Sequence, residues 1–249
     1  PKLLGDSSPS RPIVAASTPP EPSLAYMTDK EVAVSTPAGE VKRIAPLSGR
    51  IPGGSLVWSG DGSLLAWTTA PRKGDPPDRV HLASADGGET RSWDCPDASC
   101  GTAVFRGNQL ITGVSEDQRL TLYPAGGGAP ESLPITGLPE ASDSLTTVGS
   151  FLADATEKEV IIYYGVGTSA YGGPVAYYRV SETGEATEIF NDEDLANVAP
   201  SGVGLSPDHR SLTYVGGWRG GYCDERESVR LVDLSTGRVT EPEMPPGYL

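Results

Sequence analysis

The sequence repeats one pattern of short apolar strands and tight turns along most of its 249 residues. Two copies are clear, at residues 53–93 and 201–241, and each contains four strand-like segments separated by turns. Weaker copies lie at 102–134 and 146–190, and residues 23–44 match the last three strands of the unit. Because the strands alternate apolar and polar residues, a single unit would expose an apolar face to water. The units must therefore stack against each other.

Stacking four-stranded units around an axis buries these apolar faces and leaves only short sheet edges. We therefore predict an all-β protein, a β-propeller of four-stranded antiparallel blades. About five blades are visible in the sequence, either as a complete ring or as part of a six- or seven-bladed ring. A β-sandwich is the alternative, because many short strands also suit that fold. The repeated order of strands and turns favours the propeller.

Two hairpins carry a family resemblance. The segments VWSGDGSLLAW (57–67) and GLSPDHRSLTYV (204–215) resemble the W-S-P-D-G-x-x-L-A hairpin of TolB-like propeller repeats, which are relatives of the WD repeats. Gly60 replaces the proline of this pattern and His209 replaces its glycine. A third segment, SADGGETRSW, resembles the Asp-box turn of sialidase-type propellers. The resemblance implies a propeller fold and a scaffolding role more than a chemical activity.

The two ends of the chain differ from the repeats. Residues 1–22 are rich in proline and serine and are predicted to form a linker or stalk, with a frayed terminus as the alternative; residues 23–249 are predicted to form the propeller domain. The N-terminal unit lacks a clear first strand. That strand is expected either at Pro12–Ala16 or from the C-terminal end of the chain.

Composition excludes several classes of protein. The net charge of −14 disfavours nucleic-acid binding, because an acidic protein repels phosphate. The 31 glycines and 23 prolines disfavour long helices. An uncharged stretch from Val160 to Tyr178 imitates a membrane span, but glycines and a proline interrupt it. Those breaks predict two strands joined by a glycine-rich loop.

Cysteine usage bears on the compartment. Cys95 and Cys100 are separated by four residues, a spacing that can close into a small disulfide ring. Free thiols, or a bond from either residue to Cys223, are the alternatives; a zinc site would want four ligands at paired spacing. A disulfide would indicate an oxidising, extracytoplasmic location. The chain is then expected to be secreted, or tethered to the outer face of a bacterial membrane by an N-terminal anchor outside this sequence.

The connections of a propeller blade lie on two faces. Turns between strands one and two, and between strands three and four, share a face that we call the tight-turn face, because these turns are short here. Connections between strands two and three, and between successive blades, share the opposite long-loop face. Long loops on a rigid scaffold often carry function. Those expected on the long-loop face are 71–78, 95–100, 138–145, 168–173 and 218–226.

Aromatic and arginine side chains in these loops are the predicted binding contacts, since such residues most often anchor interfaces. The predicted contacts are Trp218, Arg219, Tyr222, Tyr171 and Arg72. The alternative interpretation is that these aromatic rings only cover blade edges.

Motifs for catalysis are missing from the sequence. It contains no G-x-S-x-G, no phosphate-binding P-loop and no H-E-x-x-H, and its two histidines lie in a strand and a turn. Carboxylates such as Asp75, Asp78, Asp224 and Glu225 could pair as an acid and a base, although 33 carboxylates make chance neighbours common. The acidic segment 188–198 lacks the spacing of a calcium loop. No cofactor or metal is predicted.

The first functional hypothesis is a non-catalytic, extracytoplasmic scaffold that binds a protein or peptide through the long-loop face. One alternative is a five-bladed carbohydrate-active or sugar-binding propeller. The other is the propeller portion of a larger peptidase or sensor. The oligomeric state is not predicted.

Overall fold

Strands in antiparallel sheets make up the computed structural model. Its described residues form 19 strands, arranged as one three-stranded and four four-stranded sheets. The described residues are 23–72, 77–96, 100–114, 118–139, 146–167, 175–191, 201–206, 208–216 and 228–242.

The strands follow the chain sheet by sheet. The first sheet contains β1 Leu24–Met27, β2 Glu31–Ser35 and β3 Val41–Pro46, and the second contains β4 Arg50–Trp58, β5 Leu64–Pro71, β6 Arg79–Ser84 and β7 Thr90–Asp94. The third sheet contains β8 Ala103–Arg106, β9 Gln109–Val114, β10 Arg119–Tyr123 and β11 Glu131–Pro134. The fourth contains β12 Thr146–Ala155, β13 Val160–Gly167, β14 Val175–Val180 and β15 Ala186–Asn191, and the fifth contains β16 Ser201–Leu205, β17 Ser211–Gly216, β18 Ser228–Asp233 and β19 Val239–Thr240.

Each sheet is a simple meander in which consecutive strands pair antiparallel. These sheets coincide with the five repeated units of the sequence, so the prediction of an all-β propeller with five visible blades is confirmed. The uncharged stretch from Val160 also forms two strands, β13 and β14, rather than a helix. No helix in the part of the chain that the structure describes is long and apolar enough to cross a membrane.

Neighbouring sheets pack face to face, and alternation along the central strands supplies both faces. On β13, Val160, Ile162 and Tyr164 pack toward the third sheet, whereas Ile161 and Tyr163 pack toward the fifth. All five side chains are buried. Because successive side chains of a strand point to opposite faces, one apolar run serves two cores. Contacts between the sheets run mainly through their first strands, as expected of blades around an axis.

The first sheet supplies the last three strands of a blade, as the sequence predicts. In the second sheet, the Cys95 amide, which follows the fourth strand, donates to the Asp78 carbonyl just before the third strand (2.9 Å). In the first sheet, the Leu47 amide, which follows β3, donates in the same way to the Lys30 carbonyl before β2 (2.8 Å). Strand β3 also ends next to Arg50, whose amide donates to the Leu47 carbonyl (3.0 Å) and which pairs with Pro71 at the end of β5, so β3 ends where a fourth strand ends and β2 stands in the third position. Both proposed sources of the first strand lie outside the described residues.

The two hairpins that carry the family resemblance share one hydrogen-bonded turn. In the second sheet, the Asp61 carboxylate accepts from the Ser59 hydroxyl (2.8 Å) and from the Ser63 amide (2.9 Å) and hydroxyl (2.7 Å). In the fifth sheet, Asp208 accepts in the same way from the Ser206 hydroxyl (2.6 Å). The bonds from Ser63, together with those from Ser59 and Asn108, hold the pKa of Asp61 well below its usual range. These serine–aspartate bonds fix the reversal of the chain on the tight-turn face.

Turns between third and fourth strands fasten each sheet to the one before it. The Gly184 carbonyl in the fourth sheet accepts from the Thr136 amide (2.9 Å), which follows the last strand of the third sheet. Likewise, the Gly128 carbonyl in the third sheet accepts from the indole of Trp93 on β7 of the second (2.9 Å). The tight turns thus join the blades as well as reversing the chain.

Candidate functional site

The predicted binding contacts belong to connections that the sequence assigns to the long-loop face. Four of them, Trp218, Arg219, Tyr222 and Tyr171, lie outside the described residues. The fifth, Arg72, is exposed at the end of β5, and its Nη2 donates to the Asp29 carbonyl of the first sheet (3.1 Å). Arg72 therefore stands at the junction of the first two sheets. The assignment of this face as a binding surface remains a prediction.

The structure joins Cys95 and Cys100 in a disulfide. Both residues are buried and belong to the core between the second and third sheets, beside Ala103 and Phe105. The bridge closes the connection between these sheets, and its two Cα atoms are 5.1 Å apart. A covalent link there restricts the unfolded chain and so favours the folded state. Cys223 lies outside the described residues.

A polar cluster that the sequence did not predict lies in the second sheet, near the long-loop face. Arg50 on β4 donates through Nε to the Thr69 hydroxyl (2.7 Å) and through Nη2 to the Pro77 carbonyl (2.7 Å). Thr69 Oγ1 lies 2.8 Å from Nε2 of His81 on β6. The His81 ring also stacks on the buried indole of Trp67, with 5.1 Å between centroids. Adjacent strands thus line up an arginine, a threonine and a histidine.

This environment keeps His81 neutral at physiological pH. Burial, followed by the positive charges of Arg50 and Arg79, lowers the pKa of His81 to about 4. Because Thr69 Oγ1 accepts from Arg50, its own hydrogen is available for the unprotonated Nε2. Thr69 is buried, so its hydroxyl does not reach a substrate. These hydrogen bonds of Arg50, Thr69 and His81 all lie within the second sheet and the segment just before β6.

Acidification is expected to destabilise the protein through His81. Its pKa is about 4 in the folded protein and near 6.5 in an unfolded chain, so above pH 6.5 it has no effect. As the pH falls from 6.5 to 4, the unfolded chain binds a proton that the folded one rejects. The free energy of unfolding is then lower by about 2 kcal/mol at pH 5 and by about 3 kcal/mol near pH 4.

Urea unfolding at pH 7, 5 and 4 measures this loss. In the His81→Gln variant, which keeps an acceptor for Thr69, the acid-dependent loss should be smaller by these amounts. Equal losses in the wild type and the variant would show that carboxylates alone set the acid sensitivity.

The carboxylates considered as an acid–base pair do not form a described site. Asp78 is described and half-buried, whereas Asp75, Asp224 and Glu225 are outside the described residues. Within the ranges given above, no group of three or more His, Cys, Asp or Glu side chains is arranged to hold a metal ion.

A cleft of about 520 Å³ opens on the tight-turn face, although the turns there are short. It lies between the fourth and fifth sheets, and Thr156, Lys158, Arg179 and His209 are among the residues that line it. The cleft forms between two short turns, one from each sheet, because the packing of the sheets leaves a gap between them. The one signal in the sequence was the histidine at position 209, where the hairpin pattern has glycine.

Comparison with known proteins places the fold. No protein-family model and no curated protein matches the sequence. Among solved structures, an oligogalacturonate lyase in complex with manganese is similar over 88% of this chain and 61% of its own, with a TM-score of 0.60 and 12% identity. TolB from Acinetobacter baumannii is similar over 86% of this chain and 49% of its own, with a TM-score of 0.54 and 14% identity.

The β-propeller domain of the Trilobed protease from Pyrococcus furiosus is similar over 90% of this chain and 65% of its own, with a TM-score of 0.56 and 10% identity. The chain thus spans less than two thirds of each of these three proteins. Identities of this size establish a shared fold and leave activity open. The described residues therefore form a β-propeller with the fold seen in TolB proteins.

Proposed function

We propose that this chain is a non-catalytic, extracytoplasmic β-propeller scaffold that binds a protein or peptide partner through its long-loop face. The observation that carries the proposal is the contrast between the two faces. Short turns occupied by their own hydrogen bonds cover one face, as at Asp61 and Asp208. The sequence predicts that the longer connections, which hold tryptophan, tyrosine and arginine, belong to the other. Large aromatic and arginine side chains on a rigid frame suit protein recognition.

The disulfide supports the proposed location. Disulfides persist in oxidising compartments and are rare in the reducing cytosol. The Cys95–Cys100 bridge is buried in an inter-sheet core, so it belongs to the folded structure. A secreted protein, or one held at the outer face of a bacterial membrane, would keep such a bridge.

Replacing Trp218 and Tyr222 together by alanine is expected to weaken partner binding at least about 100-fold, because central aromatic contacts each contribute about 2 kcal/mol or more. The wild type and the variant serve as paired baits in a native extract, and the retained partner is then titrated against both by biolayer interferometry. Arg238→Ala is the matched control, because Arg238 is exposed on the tight-turn face.

The control should bind like the wild type, and all three proteins should melt within a few degrees of each other. Equal affinity of the double variant and the wild type would refute the long-loop face as the binding surface.

The likeness to oligogalacturonate lyase favours a second candidate, a carbohydrate-active or sugar-binding propeller. Binding of oligogalacturonides and of a wider glycan array, measured with the purified chain, tests it directly. This candidate would be favoured over the scaffold if the wild type binds or cleaves a glycan and the Trp218→Ala/Tyr222→Ala variant does so equally well. The likeness to a protease propeller fits a third arrangement, in which the scaffold serves a catalytic domain of a larger protein.

A further inference from the structure

The cleft on the tight-turn face has the volume of a small-ligand site and is open to solvent. Its volume of about 520 Å³ falls within the range of ligand pockets, which is about 300–1,000 Å³. The turn 156–159 forms one wall and His209 stands opposite it; Ile161 and Leu234 supply the apolar part of the lining. The two sheets that form the cleft are also joined by a hydrogen bond from the Leu205 amide to the Asp154 carboxylate (2.9 Å).

His209 occupies a backbone position that would suit glycine better. Its φ is +56°, in the left-handed region, and the equivalent residue of the matching turn in the second sheet is Gly62, with φ of +69°. The two turns are otherwise built alike, with a serine hydroxyl bonded to the aspartate in each. Glycine adopts such a conformation without steric cost, whereas a side chain is strained there. Strain kept by a residue that lines a cavity points to a function of its side chain.

Charges of both signs surround the cleft. Glu157, Lys158 and Glu159 follow one another along one wall. Arg179 is held in place by a bond from its Nη2 to the Leu234 carbonyl (2.7 Å), and its Nε lies 3.7 Å from Glu159. A ligand with only negative or only positive groups would meet like charge on this wall. A ligand that carries both would find an opposite charge on this wall for each of its charged groups.

From these observations we propose that the cleft binds short zwitterionic peptides. Lys158 and His209 receive the carboxylate, Glu157 receives the ammonium group, and the apolar floor accommodates a small side chain. This site lies on the face opposite to the one in the proposed function, so it does not depend on that proposal.

Trialanine with free ends is the probe, and three capped forms separate the contributions of its charges: N-acetylated, C-amidated and capped at both ends. Binding is measured by isothermal titration calorimetry and by chemical-shift changes in the intact chain. Free trialanine is expected to bind, and each single cap is expected to weaken binding about tenfold or more, as the loss of a charged hydrogen bond does. The doubly capped form should not bind.

His209→Gly separates a binding role from a structural one. The variant is expected to bind the peptide about tenfold or more weakly than the wild type. Its melting temperature should stay equal or rise, because the backbone strain is relieved. Arg210→Ala, in the same turn but away from the cleft lining, should bind like the wild type, and so should Trp218→Ala/Tyr222→Ala.

Three results would each overturn the proposal. The first is no binding of free trialanine by the wild type, and the second is equal binding of the free and doubly capped peptides. The third is wild-type affinity, or a lowered melting temperature, in His209→Gly.

Discussion

Replacing Gly184 by alanine is expected to lower the free energy of unfolding by about 3–5 kcal/mol. Gly184 lies in the turn between β14 and β15 with φ of +86°, and its turn packs against the end of the third sheet. A methyl group at this position would overlap the backbone carbonyl oxygen of Pro134. Backbone atoms cannot avoid the overlap by a rotamer change as a side chain can, so the two sheets must separate at this turn. The separation would also break two backbone hydrogen bonds, from the Thr136 amide to the Gly184 carbonyl (2.9 Å) and from the Ala186 amide to the Thr136 carbonyl (2.8 Å).

Gly39→Ala is the matched control, because it isolates the cost of the backbone conformation. Gly39 occupies the corresponding turn of the first sheet with φ of +83°, and nothing in the described structure lies within 4 Å of an added methyl group. Alanine there should cost only about 1–2 kcal/mol, the penalty of a left-handed conformation. Urea unfolding followed by circular dichroism compares the two variants. Equal losses would mean that the turn of the fourth sheet does not hold the third sheet.

Replacing Tyr177 by alanine is expected to cost about 3–5 kcal/mol, the usual loss for a large aromatic side chain in a core. Tyr177 lies on β14 and is 1% exposed. Its ring stacks on Phe190 (4.8 Å between centroids) and also contacts the rings of Tyr163 (5.6 Å) and Tyr214 (5.8 Å). The variant would leave a cavity in the middle of the core that joins the fourth and fifth sheets.

The control is Tyr26→Ala, since Tyr26 is a partly exposed tyrosine on β1. Its loss should stay near 1 kcal/mol, as is typical of substitutions outside the core. Differential scanning calorimetry of both variants measures the contrast. A Tyr177→Ala protein as stable as Tyr26→Ala would show that the aromatic cluster does not hold the two sheets together.

Much of the fold could be predicted because its causes are local in the chain. Alternation of apolar and polar residues, as along Val229–Asp233, defines a strand within a few residues. The turn built on Ser59 and Asp61 closes within its own segment, and the repetition of such units leaves stacking as the way to bury their faces. The three-stranded first sheet and the close pairing of Cys95 with Cys100 were visible for the same reason.

The site was harder to predict because its parts come from distant segments. Arg50, Thr69 and His81 lie on three different strands, and only the pairing of β4, β5 and β6 brings them within hydrogen-bonding distance. The short turns of the tight-turn face directed the functional prediction to the long-loop face instead. The cleft beside His209 forms between two sheets, however, and the length of either turn alone does not reveal it.

The amino-acid sequence by itself determined the class of fold, the number of visible blades and the positions of the tight turns. Each of these depends on residues that are neighbours along the chain. The tertiary structure alone decided which turns face each other across a blade boundary, that His81 is held neutral beside Arg50, and that Gly184 has no space for a side chain. Those features depend on how twisted sheets pack, and packing brings together atoms that the order of residues does not connect.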